Sequence, residues 1–210
     1  MDDSPRSVAA VVLAGGSGSR FATAGHVIGG GHKLDARLDA TSVEPEESVA
    51  ERALRHVLMA AIGPVVVITG KWSPPDDFAI AGIDTAGLRF LHNPSWSAGQ
   101  ITSVRAGIDV VDGLGLDRAV LGLADQPFVS PDAWRTVATA PGPICVATYG
   151  GRRGNPVALD QSTWPLLPTT GDEGARALMR IRPDLVREVA CSGSPADIDT
   201  AEDLHRWQNN

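Results

Sequence analysis

Thiols are nearly absent from the 210 residues, Cys145 and Cys191 being the only two. They lie far apart in apolar, strand-like runs. That excludes a Cys-x-x-Cys motif and a disulfide framework, and reads them as small buried hydrophobes. Lysine is as scarce, with Lys33 and Lys71 alone. Positive charge is in deficit overall, and a formal net charge of -7 argues against a nucleic-acid or acidic-membrane surface, either of which wants a basic patch. No apolar run approaches the ~18 residues of a membrane span. The opening Met-Asp-Asp-Ser-Pro lacks the basic segment of a signal peptide, so a cytoplasmic location is expected. No repeat, heptad pattern or long linker divides the chain, and a single domain over 1–210 is expected.

Three further absences narrow what the glycine-rich opening can be. Val8–Leu13 is an unbroken apolar run, as in a strand buried on both faces of a parallel sheet, and Ala14, Gly15, Gly16, Ser17, Gly18, Ser19 and Arg20 follow it. No Gly-Lys-Ser/Thr closes the loop, so it is not a Walker P-loop. Phe21 stands where a dinucleotide fingerprint has its third glycine. No Gly-x-Ser-x-Gly elbow marks Ser17 or Ser19 as a nucleophile. What is present is a turn whose backbone N–H groups can converge on a phosphate, with Arg20 and Lys33 as fixed cations for the same phosphates. A merely tight connection is the competing reading.

Taken in order, the rest alternates helix and strand. Pro45-Glu46-Glu47 reads as a helix start, with Val49, Ala53, Val57 and Ala61 on one apolar face. Gly63-Pro64 stops it, and Val65–Thr69 and Leu88–Leu91 read as strands. The Asn93–Gly99 loop then feeds a helix carrying Val104 and Ile108, the kind of strand-to-helix loop where α/β proteins place ligands. Trp96 either serves that ligand or packs the loop down.

Ala119–Leu123 reads as another buried strand, and it runs straight into Asp125. A carboxylate there is costly unless compensated. Mg²⁺ would compensate it, and a turn aspartate capping the helix after Pro131 is the alternative. Pro143–Tyr149 and Pro156–Leu159 read as strands around a glycine-rich turn, Gly150–Asn155. Its Arg152 and Arg153 either hold an anion or are solvated charges. A helix opens at Gly171-Asp172-Glu173, Leu185–Cys191 is the last strand, and a helix from Ala201 to Trp207 closes the chain. His26 and His32 read as mobile loop residues rather than a metal pair. Trp134, Trp164 and Trp207 read as core or seam residues. The pattern predicts a three-layer α/β/α sandwich with a mostly parallel, mixed sheet.

These motifs, in this order, resemble the nucleotidyltransferases that attach a nucleotide to the molybdenum cofactor. The resemblance rests on Leu13-Ala-Gly-Gly-Ser-Gly-Ser-Arg20 with Lys33, Asn93-Pro-Ser-Trp-Ser-Ala-Gly99, Ser103-Val-Arg-Ala-Gly107 and Leu123-Ala-Asp-Gln-Pro127. Gly151-Arg-Arg-Gly-Asn-Pro-Val157, Gly171-Asp-Glu-Gly-Ala-Arg-Ala177 and Asp197-Ile-Asp-Thr200 complete it. The Asn-Pro-x-Trp, Gly-Arg-Arg-Gly and Gly-Asp-x-Gly-Ala-Arg elements look most like the cytidylyltransferase branch. Four features depart from the family pattern, one being a helix start that reads Val43-Glu-Pro-Glu-Glu in place of a Gly-x-Pro turn. Phe21–His32, with four glycines, intervenes between Arg20 and Lys33 and is expected to order with substrate. Asn155 stands where that branch has His, and Ala14-Gly15-Gly16 looks more like the guanylyl-transferring branch.

The resemblance implies a Rossmann-like, glycosyltransferase-A-like fold, Mg²⁺ and a nucleoside triphosphate, with CTP favoured and GTP the alternative. Leu13 to Arg20, Lys33, Asn93 and Ser103 would bind the nucleotide. Arg20, Lys33 and Asp125 would be catalytic, with Asp125 and Asp199 as metal ligands. Trp96, Gly99, Arg152, Gly154, Asn155, Pro156, Asp172 and Arg176 would shape the site of a phosphorylated pterin acceptor. A molybdoenzyme or its insertion chaperone is the expected protein partner. Transfer to another small phosphorylated acceptor, or a non-catalytic carrier of the nucleotide or cofactor, are the other readings.

Overall fold

The computed structural model describes residues 7–16, 32–40, 45–200 and 202–203. Its centre is β1 (Val8–Ala14), where the apolar run does what its composition requires. Side chains alternate across a strand, so Ala9, Val11 and Leu13 enter one hydrophobic cluster while Ala10, Val12 and Ala14 enter another on the opposite face. On one side β1 pairs in parallel with β4 (Val65–Thr69), which pairs in parallel with β5 (Leu88–His92). On the other side it pairs in parallel with β6 (Arg118–Leu123).

Beyond β6 the sheet continues through β8 (Arg152–Asp160) and β7 (Ile144–Tyr149) to β9 (Val186–Ala190). β8 runs antiparallel to both its neighbours and β9 is parallel to β7. The result is a seven-stranded sheet with one reversed strand. A short antiparallel pair, β2 (Arg37–Leu38) and β3 (Glu47–Ser48), stands apart from it.

Helices α1 (Val49–Ala60) and α3 (Pro131–Thr139) cover one face; α2 (Gln100–Gly113) and α4 (Ala175–Ile181) cover the other. This is the expected three-layer α/β/α arrangement. Close approach depends on two glycines. A Cβ at Gly107 of α2 would lie 2.4 Å from Val11 Cγ1, and one at Gly122 of β6 would lie 2.5 Å from the Trp134 ring. Among the described residues, no helix is long and apolar enough to cross a membrane.

Several boundaries differ from the sequence reading. The helix expected from Pro45 begins at Val49, because Ser48 caps it. Ser48 Oγ accepts from Glu51 N–H, and the Glu51 carboxylate accepts from Ser48 N–H. Pro45 and Glu46 precede β3 instead. The turn expected over Gly150–Asn155 is confined to Gly150 and Gly151, both at positive φ, and β8 begins at Arg152. The helix expected from Gly171 begins at Ala175, and β9 begins one residue after Leu185, which lies in a 3-10 turn.

Of the closing helix, residues 202–203 are helical and the remainder lies outside the described residues. Cys145 and Trp134 are core residues, and Cys191 is half-buried. Trp164 is buried as expected, and its indole N–H donates to the Leu159 carbonyl 3.1 Å away. Trp207 lies outside the described residues.

Candidate active site

After β1 the chain passes through α1 to β4 and β5, then crosses back under α2 to β6 on the far side of β1. The connections therefore diverge between β1 and β6, and in open α/β sheets a crevice at such a point, beyond the carboxyl ends of the strands, holds the ligand. Leu13 and Leu123 are register partners there, and Ala124 N–H donates to the Leu13 carbonyl at 3.0 Å. Two residues past β6, Asp125 is thereby set beside the start of the Gly15-Gly16 loop.

The 193–199 segment returns to the same place. Ile198, fully buried in the core, donates its N–H to the Asp125 carbonyl at 2.9 Å, which brings Asp199 alongside Asp125. Lys33 arrives from a third direction, on a one-turn 3-10 helix, Lys33–Asp35, anchored by the buried Leu34 and by Trp72 Nε1 donating to Asp35 Oδ1 at 2.7 Å. Its ammonium donates to Asp125 Oδ2 at 2.5 Å and to Asp199 Oδ1 at 2.6 Å. Burial by itself would lower the Lys33 pKa. The charges and hydrogen bonds of Asp125 and Asp199 outweigh it and hold the ammonium above its ordinary value. Asp197 is pushed the other way: burial, then the Asp125 charge, raise its carboxyl above the usual range.

The capping reading of Asp125 does not hold, because Ser130 caps α3 through its Oγ, 3.2 Å from Ala133 N. Asp125 Oδ1 is buried with no hydrogen-bond partner. An orphaned carboxylate oxygen beside a second carboxylate suits a hard cation. Among the described residues no cluster of three or more His, Cys, Asp or Glu forms a metal cage. Asp125 and Asp199 could supply two oxygens to a hard divalent cation, whose remaining ligands would be phosphate oxygens and water.

His32 is tied in place rather than hanging in a loop. Leu34 N–H donates to its Nδ1 at 3.2 Å, so the proton sits on Nε2, which donates to the Gly16 carbonyl at 3.1 Å. Burial lowers its pKa, consistent with that neutral tautomer. His26 lies outside the described residues.

Two cavities flank this centre. One, of about 360 Å³, is lined by Gly15, Gly16, Trp96, Gly99, Ser103, Asp125 and Asp172. The N-terminus of α2 opens onto it, a favourable end for an anion. The other, of about 540 Å³, lies between β6, β8 and α4, with an apolar floor of Val104, Leu121, Val146 and Val157 and Arg153, Gly154, Asn155 and Arg176 around it. Leu13, Gln100 and Leu123 line both, so the cavities meet beside Asp125.

The expected residues distribute as follows. Gly15, Gly16 and Ser103 lie in the first cavity, while Ser17, Gly18, Ser19 and Arg20 fall outside the described residues. Asn93 is buried and committed internally. Its Nδ2 donates to Thr102 Oγ1 at 2.9 Å and Ser103 Oγ at 3.0 Å, and its Oδ1 accepts from Ser95 N–H at 3.0 Å. It staples the loop to α2.

Trp96 both packs and lines. A Cβ on Gly70 would lie 2.7 Å from its side chain, and its other side faces the first cavity with Gly99 and Asp172. Gly154, Asn155 and Arg176 reach the second cavity, whereas Arg152, exposed on β8, and the buried Pro156 line neither. The sequence reading missed Gln100 at the seam and Gln126, which donates to Asp197 Oδ1 at 2.5 Å and accepts from Asn155 Nδ2 at 2.9 Å. Gln126 follows directly on Asp125 within the quoted motif, which was the signal available.

A glycine loop, a helix N-terminus and paired carboxylates at the switch point of such a sheet define a phosphate-handling α/β enzyme. The family model for the MobA-like NTP transferase domain matches residues 10–189, and the chain belongs to that family. It is a nucleotidyltransferase. Over 172 residues it is 28% identical to the nicotine blue oxidoreductase of Paenarthrobacter nicotinovorans, an alignment spanning 76% of this chain and 82% of that one. It is 36% identical over 110 residues to the purine catabolism protein PucB of Bacillus subtilis, covering 50% of this chain and 54% of PucB. Its fold matches a nucleotidyl transferase from Methanothermobacter thermautotroptrophicus with a TM-score of 0.75 and 25% identity, over 97% of this chain and 96% of the other.

Proposed function

We propose that the chain transfers a nucleoside monophosphate from a nucleoside triphosphate to the terminal phosphate of a molybdopterin-type cofactor, releasing pyrophosphate, with CTP favoured and GTP the alternative. The observation that carries this reading is the meeting of two cavities beside Asp125, one with a glycine loop for a triphosphate and one with an apolar floor and Arg176 for an anionic acceptor. An acceptor phosphate is already an anion at neutral pH. Its oxygen attacks the α-phosphorus, the bond from that phosphorus to the bridging oxygen breaks, and pyrophosphate leaves without a protein nucleophile. What remains for the protein is in-line positioning and charge neutralisation.

Gly15, Gly16 and Ser103 would hold the triphosphate, and Lys33 and Arg20 would neutralise the leaving pyrophosphate. Gly154, Asn155 and Arg176 would seat the acceptor. Asp125 and Asp199 would hold Mg²⁺, which when bound supplies Lewis-acid neutralisation of phosphate oxygens. The product would pass to a molybdoenzyme or its insertion chaperone.

The test is pyrophosphate release with Mg²⁺, molybdenum-loaded molybdopterin and each of CTP, GTP, ATP and UTP. Release with CTP or GTP, lost in Asp125→Asn, is expected. Nucleotide binding without release under any of the four would overturn the acceptor assignment.

A further inference from the structure

Lys33 occupies a position with a consequence for how the site fills. Its ammonium touches Asp125 Oδ2 at 2.5 Å and Asp199 Oδ1 at 2.6 Å, so one cation already joins the two carboxylates assigned above to a metal ion. The lysine side chain is 10% exposed, and few water molecules can share the load. A divalent ion bridging those two oxygens needs the space the ammonium fills, and the two cations repel at contact distance. The lysine head is a point charge on a flexible four-carbon stem, free to follow a stronger anion. The adjoining cavity along Gly15, Gly16 and Ser103 is where a triphosphate would present one.

We propose that Lys33 is an internal stand-in for the metal, holding Asp125 and Asp199 together until the triphosphate draws it away, so that the divalent ion enters with the nucleotide and not before it. The proposal rests on the assignment of Asp125 and Asp199 as metal ligands. It opposes a simpler arrangement, in which the ion sits on the unpartnered Asp125 Oδ1 while Lys33 stays where it is. In the simpler arrangement Lys33 keeps its contacts with Asp125 and Asp199 when ion and nucleotide bind. Under the proposal, nucleotide-free protein is a poor metal binder because of one side chain.

The experiment is Mn²⁺ binding to nucleotide-free protein, followed by the electron paramagnetic resonance signal of the free ion, for wild type, Lys33→Met and Lys33→Arg. Lys33→Met should bind Mn²⁺ at least tenfold more tightly than wild type. Lys33→Arg, which keeps the charge, should behave as wild type. Adding Asp125→Asn to Lys33→Met should abolish the gain. Equal affinities in wild type and Lys33→Met, both lost with Asp125→Asn, would overturn the stand-in role while leaving the metal site intact. Mn²⁺ binding that survives Asp125→Asn, or that is absent even in Lys33→Met, would overturn the metal assignment itself.

Wild type provides a second readout that no folding defect can confuse. With only Lys33 and Lys71 in the chain, ¹⁵N-lysine labelling yields two ammonium signals. The Lys33 signal should stay put with Mg²⁺ alone and shift with Mg²⁺ plus inorganic tripolyphosphate, while exposed Lys71 serves as the reference. A shift with Mg²⁺ alone, or none with tripolyphosphate, would overturn the proposal.

Discussion

Asp125 combines one oxygen held by Lys33 with another that has no partner, an arrangement that favours cation binding over stability. Asp125→Asn removes the charge but keeps the shape. It should reduce pyrophosphate release by about 10²–10³-fold or more, as expected when a transition-state charge contact is lost. The thermal unfolding midpoint, measured in parallel, should fall only modestly, because Asp199 still accepts from the Lys33 ammonium and the Ile198 N–H bond to residue 125 uses the backbone carbonyl. Asn93 presents the opposite balance. Its side chain makes three internal hydrogen bonds from a buried position, so Asn93→Ala should destabilise the fold by about 1–3 kcal/mol in urea denaturation. The KM for nucleotide should rise as Ser103 loses its anchor.

Elements reach the site through how closely they can approach it. Gly70, just past β4, sits under Trp96, and a Cβ there would lie 2.7 Å from both the Gly15 carbonyl oxygen and the Trp96 side chain. Gly70→Ala should therefore displace the loop that follows β1 from the loop that follows β5. The expected outcome is a several-fold rise in KM for the triphosphate with a smaller change in the acceptor KM, measured in the same steady-state assay. The separation follows because Gly70 is not among the residues lining the second cavity, which shares only Leu13, Gln100 and Leu123 with the first.

Across the whole molecule, the segment carrying Lys33 pairs through β2 with β3, and a buried ionic cluster ties β3 to α1. Glu47 accepts from Arg52 Nε at 2.9 Å and from Arg55 Nε at 2.5 Å, and all three side chains are nearly excluded from water. Ala36, three residues after Lys33, accepts from Val49 N–H at 2.9 Å at the start of the same helix. Glu47→Gln leaves two guanidiniums without their carboxylate, and breaking a buried pair in this way costs roughly 3–5 kcal/mol. Chemical denaturation should register that loss. Turnover per folded molecule should fall too, as the Lys33 segment loosens from its support.

Much of this architecture was legible in the chain. Runs such as Val8–Leu13 and Val65–Thr69 are apolar on both alternations, and only a strand covered on both faces satisfies them. The Ser48-x-x-Glu51 capping box and the Gly150-Gly151 turn were also written locally, although Pro45 and the arginines drew the boundaries elsewhere. The glycine loop, Lys33 and Asp125 were recognisable as residue types suited to phosphates and a cation, whereas Asp199 entered only through the family resemblance.

Tertiary structure alone decided which of these residues meet. Lys33, Asp125 and Asp199 are separated by up to 166 positions, and no local propensity encodes that pairing. It follows from a crossover that carries β6 to the far side of β1, and from the Ile198 backbone bond that returns the last segment to Asp125. The division of the site into two cavities has the same origin. Arg153 and Asn155 face the second cavity because the Gly150-Gly151 turn places both on a strand, and Trp96 faces the first because Gly70 leaves room beneath it. Local chemistry determines what each residue can do, while the sheet order determines beside what it does it.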